Sequence, residues 1–269
     1  MGQVKLGERA RSHGVRLEIY DEIDSTNDEA KRRAEAGDLG PLWVVAARQT
    51  NGRGRLGRSW SSLEGNLHAS LLIFDFGPAA LAPQLGFVAG LATIGALIEA
   101  TGASERLALK WPNDVLLDGE KLAGVLLEGT QPGGPGAPFG CVIGIGVNCV
   151  AAPGDLAAPA SDLSRLGGSG FDAGAIFASL SDKLEETLAL WAGGAGFPAL
   201  RERWLSHAAG LGGAIEARLA RETVSGLFET IDGDGRLIIS TRSGRRAIEA
   251  GDIFLPALAA ARPEPERRQ

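Results

Sequence analysis

The chain of 269 residues is poor in the side chains that most often carry covalent or metal chemistry, with two cysteines and three histidines. Cys141 and Cys149 lie eight positions apart, with no Cys-x-x-Cys and no histidine near them in sequence, so neither a disulfide framework nor a zinc site is indicated. His13, His68 and His207 stand in no triad spacing, and with Gly-x-Ser-x-Gly also missing no covalent nucleophile presents itself. A basic excess is lacking too: 27 Lys and Arg against 33 Asp and Glu leave a formal net charge of -6. That argues against a protein that coats nucleic acid, because affinity for a phosphate backbone comes from clustered cations. Any basic patch must be local. Met1 to Arg16 has no apolar run of the kind a signal peptide needs, and the expected compartment is the cytoplasm. One long apolar run exists, Phe76 to Ile98. Pro78 and Pro83 would break a membrane-spanning helix near its start, and its flanks are Asp75 and Glu99 rather than Lys or Arg, so a buried core helix from Pro83 to Thr101 is expected. No internal repeat is visible.

Hydrophobic periodicity predicts strands at Val15–Tyr20, Leu42–Ala47, Leu67–Phe74, Leu107–Trp111 and Phe139–Cys149. Val115–Leu117 and Leu122–Leu127 flank "DGEK", a hairpin signal. A helix is expected over Ser25–Glu35, with Ser25, Thr26 or Asn27 as N-cap and Glu29 placed for a capping box after Thr26. Two more are expected at Asp172–Trp191 and Phe197–Ala208. After the "GLGG" of Gly210 to Gly213 come short alternating runs, Ala214–Leu219, Thr223–Ile231, Leu237–Thr241 and Arg245–Ile248, that suit a small barrel. The expected division is a catalytic unit over 1–209, the barrel over 210–258 and a disordered tail over 259–269.

"NGRGRLGRSW", Asn51 to Trp60, contains Gly-x-Gly-x-x-Gly, the spacing of a dinucleotide loop. A dinucleotide site needs a helix directly after the glycines, and here polar residues lead into a strand, so NAD is disfavoured. Gly52, Gly54 and Gly57 let the backbone bend and approach a ligand, while Arg53, Arg55 and Arg58 supply forked donors for phosphate or carboxylate. Such a loop can wait disordered and close on an anion. "KWPNDVLL" places Asn113 and Asp114 after a proline-terminated strand, as hard oxygen ligands suited to Mg²⁺ carrying phosphates. In "KLAGVLLEG" Lys121 stands at the mouth of an apolar strand, where a cation meets a carboxylate or phosphate. In "VIGIGVNC" the period of two puts Val142, Gly144, Gly146 and Asn148 on one face and Ile143, Ile145, Val147 and Cys149 on the other. One face is core; the other is cleared for something flat and close. Taken singly, each motif has a plainer reading: a solvated basic loop, an RNA-binding loop of RGG type, a Pro-Asn-Asp turn, a snorkelling lysine, a small buried Cys149.

Taken together, "STND" at Ser25, "GRGRLGRSW" at Gly52, "KWPNDVLL" at Lys110, "KLAGVLLE" at Lys121 and "GIGVN" at Gly144 resemble biotin protein ligases in order and approximate spacing, from about Leu17 to Leu255. The resemblance implies an α+β fold, a mixed sheet flanked by helices of the class II synthetase-like kind, followed by an SH3-like barrel. It implies two reactions: biotin and MgATP give biotinyl-5'-adenylate and pyrophosphate, then a carrier lysine attacks the mixed anhydride. Carried onto this chain, Ser25, Thr26, Asn27 and Gln49 bind the ureido end of biotin with Gly52 and the backbone of Arg53 and Gly54. Gly124, Gly144 and Gly146 line the slot beside its rings. Arg55 and Lys121, the two catalytic assignments, sit near the carboxylate and the attacked phosphate, with Arg58 and Trp60 on the adenylate side. Asn113, Asp114 and Asn148 serve ATP, and Asp114 the Mg²⁺.

The implied partner is the biotin carboxyl carrier domain of a biotin-dependent carboxylase, with no nucleic acid and no membrane. The oligomeric state is left open, a homodimer included. Fewer than twenty residues precede the first strand, so the DNA-binding domain of some relatives, and with it a repressor role, is not expected. The segment after Asn148, "CVAAPGDLAAPASDL", holds no aromatic to stack on adenine. Rival readings are a lipoyl or octanoyl transferase, a nucleic-acid-binding module and an NAD oxidoreductase.

Overall fold

The structure, a computed structural model, describes residues 3–154, 159–167 and 171–256. A short helix α1 (Glu8–Ser12) precedes β1 (Arg16–Ile23), α2 (Thr26–Glu35), β2 (Leu42–Gln49), β3 (Leu67–Ile73), α3 (Leu85–Thr101), β4 (Leu107–Lys110), β5 (Asp114–Leu117), β6 (Glu120–Thr130) and β7 (Gly140–Val147). Then follow α4 (Ala173–Trp191), α5 (Phe197–Ser206) and the strands β8 (Ala214–Arg218), β9 (Thr223–Ile231), β10 (Leu237–Thr241), β11 (Gly244–Ile248) and β12 (Asp252–Phe254). The first seven strands make one sheet in the order β1-β2-β3-β7-β6-β5-β4, and the last five a second in the order β11-β10-β9-β8-β12. β1 and β2 are parallel, joined across α2; every other pairing is antiparallel. The large sheet is therefore mixed and flanked by helices, as expected.

The period of two along each strand decides which residues meet the core. Trp43 and Val45 of β2, Leu67, Ala69 and Leu71 of β3, Ile143, Ile145 and Val147 of β7, and Ala123 and Val125 of β6 face α3 and α4 in the main core. Trp43 meets Phe177 of α4 edge to face at 5.3 Å between ring centroids. Each such large side chain, fully buried, contributes about 1.5–3 kcal/mol. α3 is apolar all round because it is enclosed all round, by α4, α5 and strands of the sheet. Pro83 lies not in α3 but in the 3-10 segment Ala79–Gln84 before it.

The opposite face changes character along its length. At one end Leu42 and Val44 of β2, Leu72 of β3 and Val142 of β7 pack under Ala30 and Ala34 of α2. Farther on, the same face carries Ala46, His68, Gly146 and Gly124, which pair across the strands in a single row. α2 stops short of that row. What is packed core at one end is a roofless floor at the other.

Two local features differ from expectation, the capping box of α2 and the last strand, and one, the "DGEK" hairpin, bears it out. Ser25 is the N-cap of α2, its hydroxyl accepting from Asp28 N, so Asp28 and not Glu29 occupies the third helical position; Glu29 instead pairs with Arg32 and Arg33. The "DGEK" hairpin closes in two residues, with Asp118 and Gly119 both at positive φ (50° and 78°) and Leu117 opposite Glu120, the geometry of a type I′ turn. β12 was not foreseen; it closes the small sheet against β8. Ile215, Phe228, Leu237 and Ile253 of the small sheet belong to the same buried cluster as the main core, and Trp111 Nε1 donates to Gly235 O at 3.0 Å between the two. The tail beginning at Ala259 lies outside the described residues, as do 155–158 and 168–170 of the loop after Asn148.

Candidate active site

A cavity of about 920 Å³ opens over the bare end of the large sheet. Its floor takes Gly144 and Leu126 from one row of cross-strand neighbours and His68, Gly146 and Gly124 from the next, while Val44, Ser70 and Ala46 of the same rows are buried beside it. Of the residues singled out from sequence, all but Gly52 line it. Gly52 sits behind the wall, where a Cβ would press on Trp60 O at 2.8 Å and on Gln49 Nε2 at 3.0 Å, so its smallness serves the loop rather than a ligand.

The first wall is the N-terminus of α2. Thr26 donates from both its backbone N–H and its hydroxyl to Gln49 Oε1, at 2.9 and 3.0 Å. Asn27 is held at both ends of its amide: Nδ2 donates to Glu128 Oε2 at 2.7 Å, and Oδ1 accepts from Ser70 Oγ at 2.6 Å. A Cβ on Gly144 would strike that amide. The short strand residues and the helix start therefore form one polar cradle, with donors and acceptors facing a planar space.

The second wall is the arginine loop. It runs between β2 and β3 with one 3-10 turn, Arg55–Gly57, and no helix follows its glycines, so the dinucleotide context is missing. Its three arginines, close together in sequence, each have their own acceptor. Arg53 grips Asp28 with both guanidinium nitrogens, Nη2 at 2.6 Å from Oδ1, and holds the Asp28 carboxyl at about 2. Arg55 donates to Asn113 Oδ1 at 3.1 Å, and burial pulls its guanidinium below the ordinary value. Arg58 donates to Asp252 Oδ1 of β12 at 2.8 Å. Gly54 N donates to Arg58 O at 2.7 Å inside the loop, so that N–H is not free for a ligand.

Trp60 corrects one expectation. Its indole lies on Gly146, where a Cβ would strike the ring, and reaches Gly124 as well. The flat group that the two glycines make room for is thus, at Gly146, supplied by the protein. Trp60 Nε1 is buried without a hydrogen-bond partner among the described residues.

The third wall gathers Lys121, Lys110, Asn113 and Asp114. Lys121 Nζ lies 2.6 Å from Asp114 Oδ1 and 5.7 Å from the centre of the Trp60 ring; Lys110 Nζ lies 3.7 Å from Asp114 Oδ2. Asn113 Nδ2 donates to Val125 O at 2.7 Å, which fixes its Oδ1 toward Arg55. Asn148 is buried and spends its Nδ2 on Ser161 O at 3.0 Å, tying the end of β7 to the next segment. A fourth wall comes from the small sheet, where Arg218 stacks over Phe254 at 5.3 Å beside Asp252.

No group of three His, Cys, Asp or Glu side chains able to hold a metal exists among the described residues. Cys141 and Cys149 are buried, and burial pushes both thiols up to about 12, far from a nucleophilic thiolate. What the cavity offers is a polar cradle at one end, cations at the other and, between them, a glycine floor on which the Trp60 indole lies, with His68 beside it. That arrangement suits joining two anions end to end. Sequence reasoning missed Ser70, Glu128, Asp252 and His68. The first two carried a signal, a polar residue interrupting an otherwise apolar strand on its α2-facing side.

Residues 20–148 match the biotin/lipoate A/B protein ligase family, and residues 210–255 match the biotin protein ligase C-terminal domain. The chain is 41% identical over 235 residues to a biotin–[acetyl-CoA-carboxylase] ligase of Paracoccus denitrificans, covering 86% of this chain and 97% of that one. It is 31% identical over 258 residues to the bifunctional ligase/repressor BirA of Bacillus subtilis, covering 94% and 78%. Among solved structures it superposes on the Aquifex aeolicus biotin protein ligase in complex with biotin and ATP with a TM-score of 0.75 and 29% identity, over 89% of this chain and 97% of that one.

Proposed function

The chain belongs to the biotin protein ligase family, whose members activate biotin with ATP and transfer it to protein, and from that premise we propose how its cavity divides the work. The observation that carries the proposal is the glycine floor with a polar cradle at one end and Arg55 and Lys121 at the other. The ureido ring lies against Ser25, Thr26, Asn27 and Gln49, beside Ser70. Its carboxylate points along the floor toward Lys121 and Arg55, and ATP enters between the arginine loop and the Asn113–Asp114 turn.

A carboxylate oxygen of biotin attacks the α-phosphorus of ATP, forming a C–O–P bond, and pyrophosphate leaves with the broken P–O pair. Both reactants are anions, so the protein's task is alignment and charge neutralisation. Lys121 is held in a close ion pair with Asp114, which keeps its ammonium, a donor of up to three hydrogen bonds, beside the carboxylate and the α-phosphate. Arg55, held by Asn113, supplies a second cation in a half-buried place where charge counts for more than in water. In the second reaction the neutral amine of a carrier lysine attacks the acyl carbon and AMP leaves. The carrier is the biotin carboxyl carrier domain of a carboxylase, the substrate class named for the Paracoccus relative. Trp60 and the tied arginine loop keep water from the anhydride meanwhile.

Mg²⁺ fits this cavity only as a companion of the nucleotide. Asp114 and Asp252 are the carboxylates of the wall among the described residues, and Asp114 already has a lysine at each oxygen. One carboxylate plus phosphates is a common magnesium environment. Asp114 would hold it with Asn113 nearby, and the ion would lessen the charge on the phosphates.

Calorimetric titration with biotin and, separately, with lipoate tests the assignment. Biotin should bind and lipoate should not; lipoate binding in place of biotin would move the chain to the transferase side of its superfamily.

A further inference from the structure

The floor of the cavity contains one polar ring that the reaction as drawn does not use. His68 is 1% exposed and lines the cavity; its ring meets the Ala46 backbone, but neither Nδ1 nor Nε2 completes a well-formed hydrogen bond among the described residues. Burial pushes the imidazole down to about 4, so at neutral pH it is uncharged, with one N–H donor and one lone pair. An unpaired donor in a closed place raises the free energy of the empty protein, and a ligand that accepts from it recovers that cost.

Position says which part of the ligand. His68 stands on the same face of β3 as Ser70, two residues away, which is roughly 6.6 Å along the strand. Ser70 belongs to the row under Asn27; His68 belongs to the row of Gly146 and Gly124, over which Trp60 and the Lys121 ammonium lie. With the ureido ring in the first row, as proposed above, the fused sulfur-bearing ring falls in the second, on the way to Lys121. We infer that His68 donates its ring N–H to the thioether sulfur of bound biotin, and so selects the sulfur-containing bicycle. Sulfur is a weak acceptor, so the effect is modest but specific to that atom.

The test compares biotin with desthiobiotin, which lacks the sulfur, by calorimetry on the full chain. His68→Phe keeps the volume and removes the nitrogens; it should weaken biotin by about three- to tenfold and desthiobiotin by less than about twofold. His68→Gln, which restores an N–H donor, should regain part of the preference. The melting temperature of ligand-free His68→Phe should change little, because no well-formed native hydrogen bond is lost. Equal weakening of both ligands, or of neither, overturns the inference, and so does a lowered melting temperature with the preference intact, which would mark a packing role. Failure of the unmodified protein to bind biotin would instead overturn the placement of biotin in this cavity.

Discussion

A methyl group at Gly144 would press on the Asn27 amide, and one at Gly146 on the Trp60 indole. Since Asn27 is clamped by Glu128 and Ser70, it cannot yield without losing a hydrogen bond worth about 0.5–1.5 kcal/mol. Gly144→Ala should therefore raise KM for biotin about tenfold while KM for ATP stays near its original value; equal changes in both would contradict the division of the floor. Lys121→Ala should reduce pyrophosphate release at least about a hundredfold, as loss of a charge stabiliser does, with the melting temperature little changed. His68 gives a pH signature. The folded ring titrates at about 4 and the unfolded one at about 6.5, so between these values the unfolded chain binds a proton that the folded one refuses. Stability from this residue is full above about pH 6.5 and is lost as pH falls toward about 4, by at most about 1.4 kcal/mol per pH unit. Urea midpoints at about pH 7 and about pH 5 should fall less in His68→Phe than in the unmodified chain.

The arginine loop is fastened at three places, and its two ion pairs are of unequal worth. Arg58 and Asp252 are both well exposed, and such pairs contribute about 0–1 kcal/mol, so Asp252→Asn should shift the melting temperature little. Asp28 anchors Arg53 from the first turn of α2, where the helix dipole also favours its charge. Asp28→Asn should loosen the loop and speed loss of adenylate, seen as faster release of labelled biotinyl-AMP in a filter assay; an unchanged rate would detach the loop from the retention of the intermediate. Most elements were legible because their periods are strong. β9 and β10 fall where alternation puts them, and the Asp118–Gly119 turn follows from its two residues. α1 and β12 were not: four polar residues around one alanine, and three mixed ones, carry no period, and both are fixed by contacts far away in the chain, Gly7 N to Ser181 Oγ and Asp252 opposite Arg218. The N-cap of α2 was among the three residues offered, but the capping box was set one position late because Ser25, Thr26 and Asn27 are all good caps.

At the scale of the molecule, the site exists because one sheet face is core for part of its length and bare for the rest. Which residues would gather there was readable from five motifs, since each lies on a strand end or loop at the same edge; which of them point at a ligand was not. Arg53 and Asn148 turned out to be engaged with protein partners, and Trp60 to lie on the glycines, because those outcomes depend on Asp28 and Ser161, 25 and 13 residues away in the chain, and on glycines of other strands. The small sheet shares the buried cluster of the large one, so calorimetric melting should show one transition, and two resolved transitions would contradict the shared core. The central claim is that this cavity makes an acyl-adenylate and delivers the acyl group to a carrier lysine. Radiolabelled biotin mixed with the full chain and a purified biotin carboxyl carrier domain tests it most directly. Label should appear on the carrier only when ATP is present, with one pyrophosphate released per biotin attached. Label on the carrier without ATP, or pyrophosphate release that never leads to labelled carrier, would contradict it.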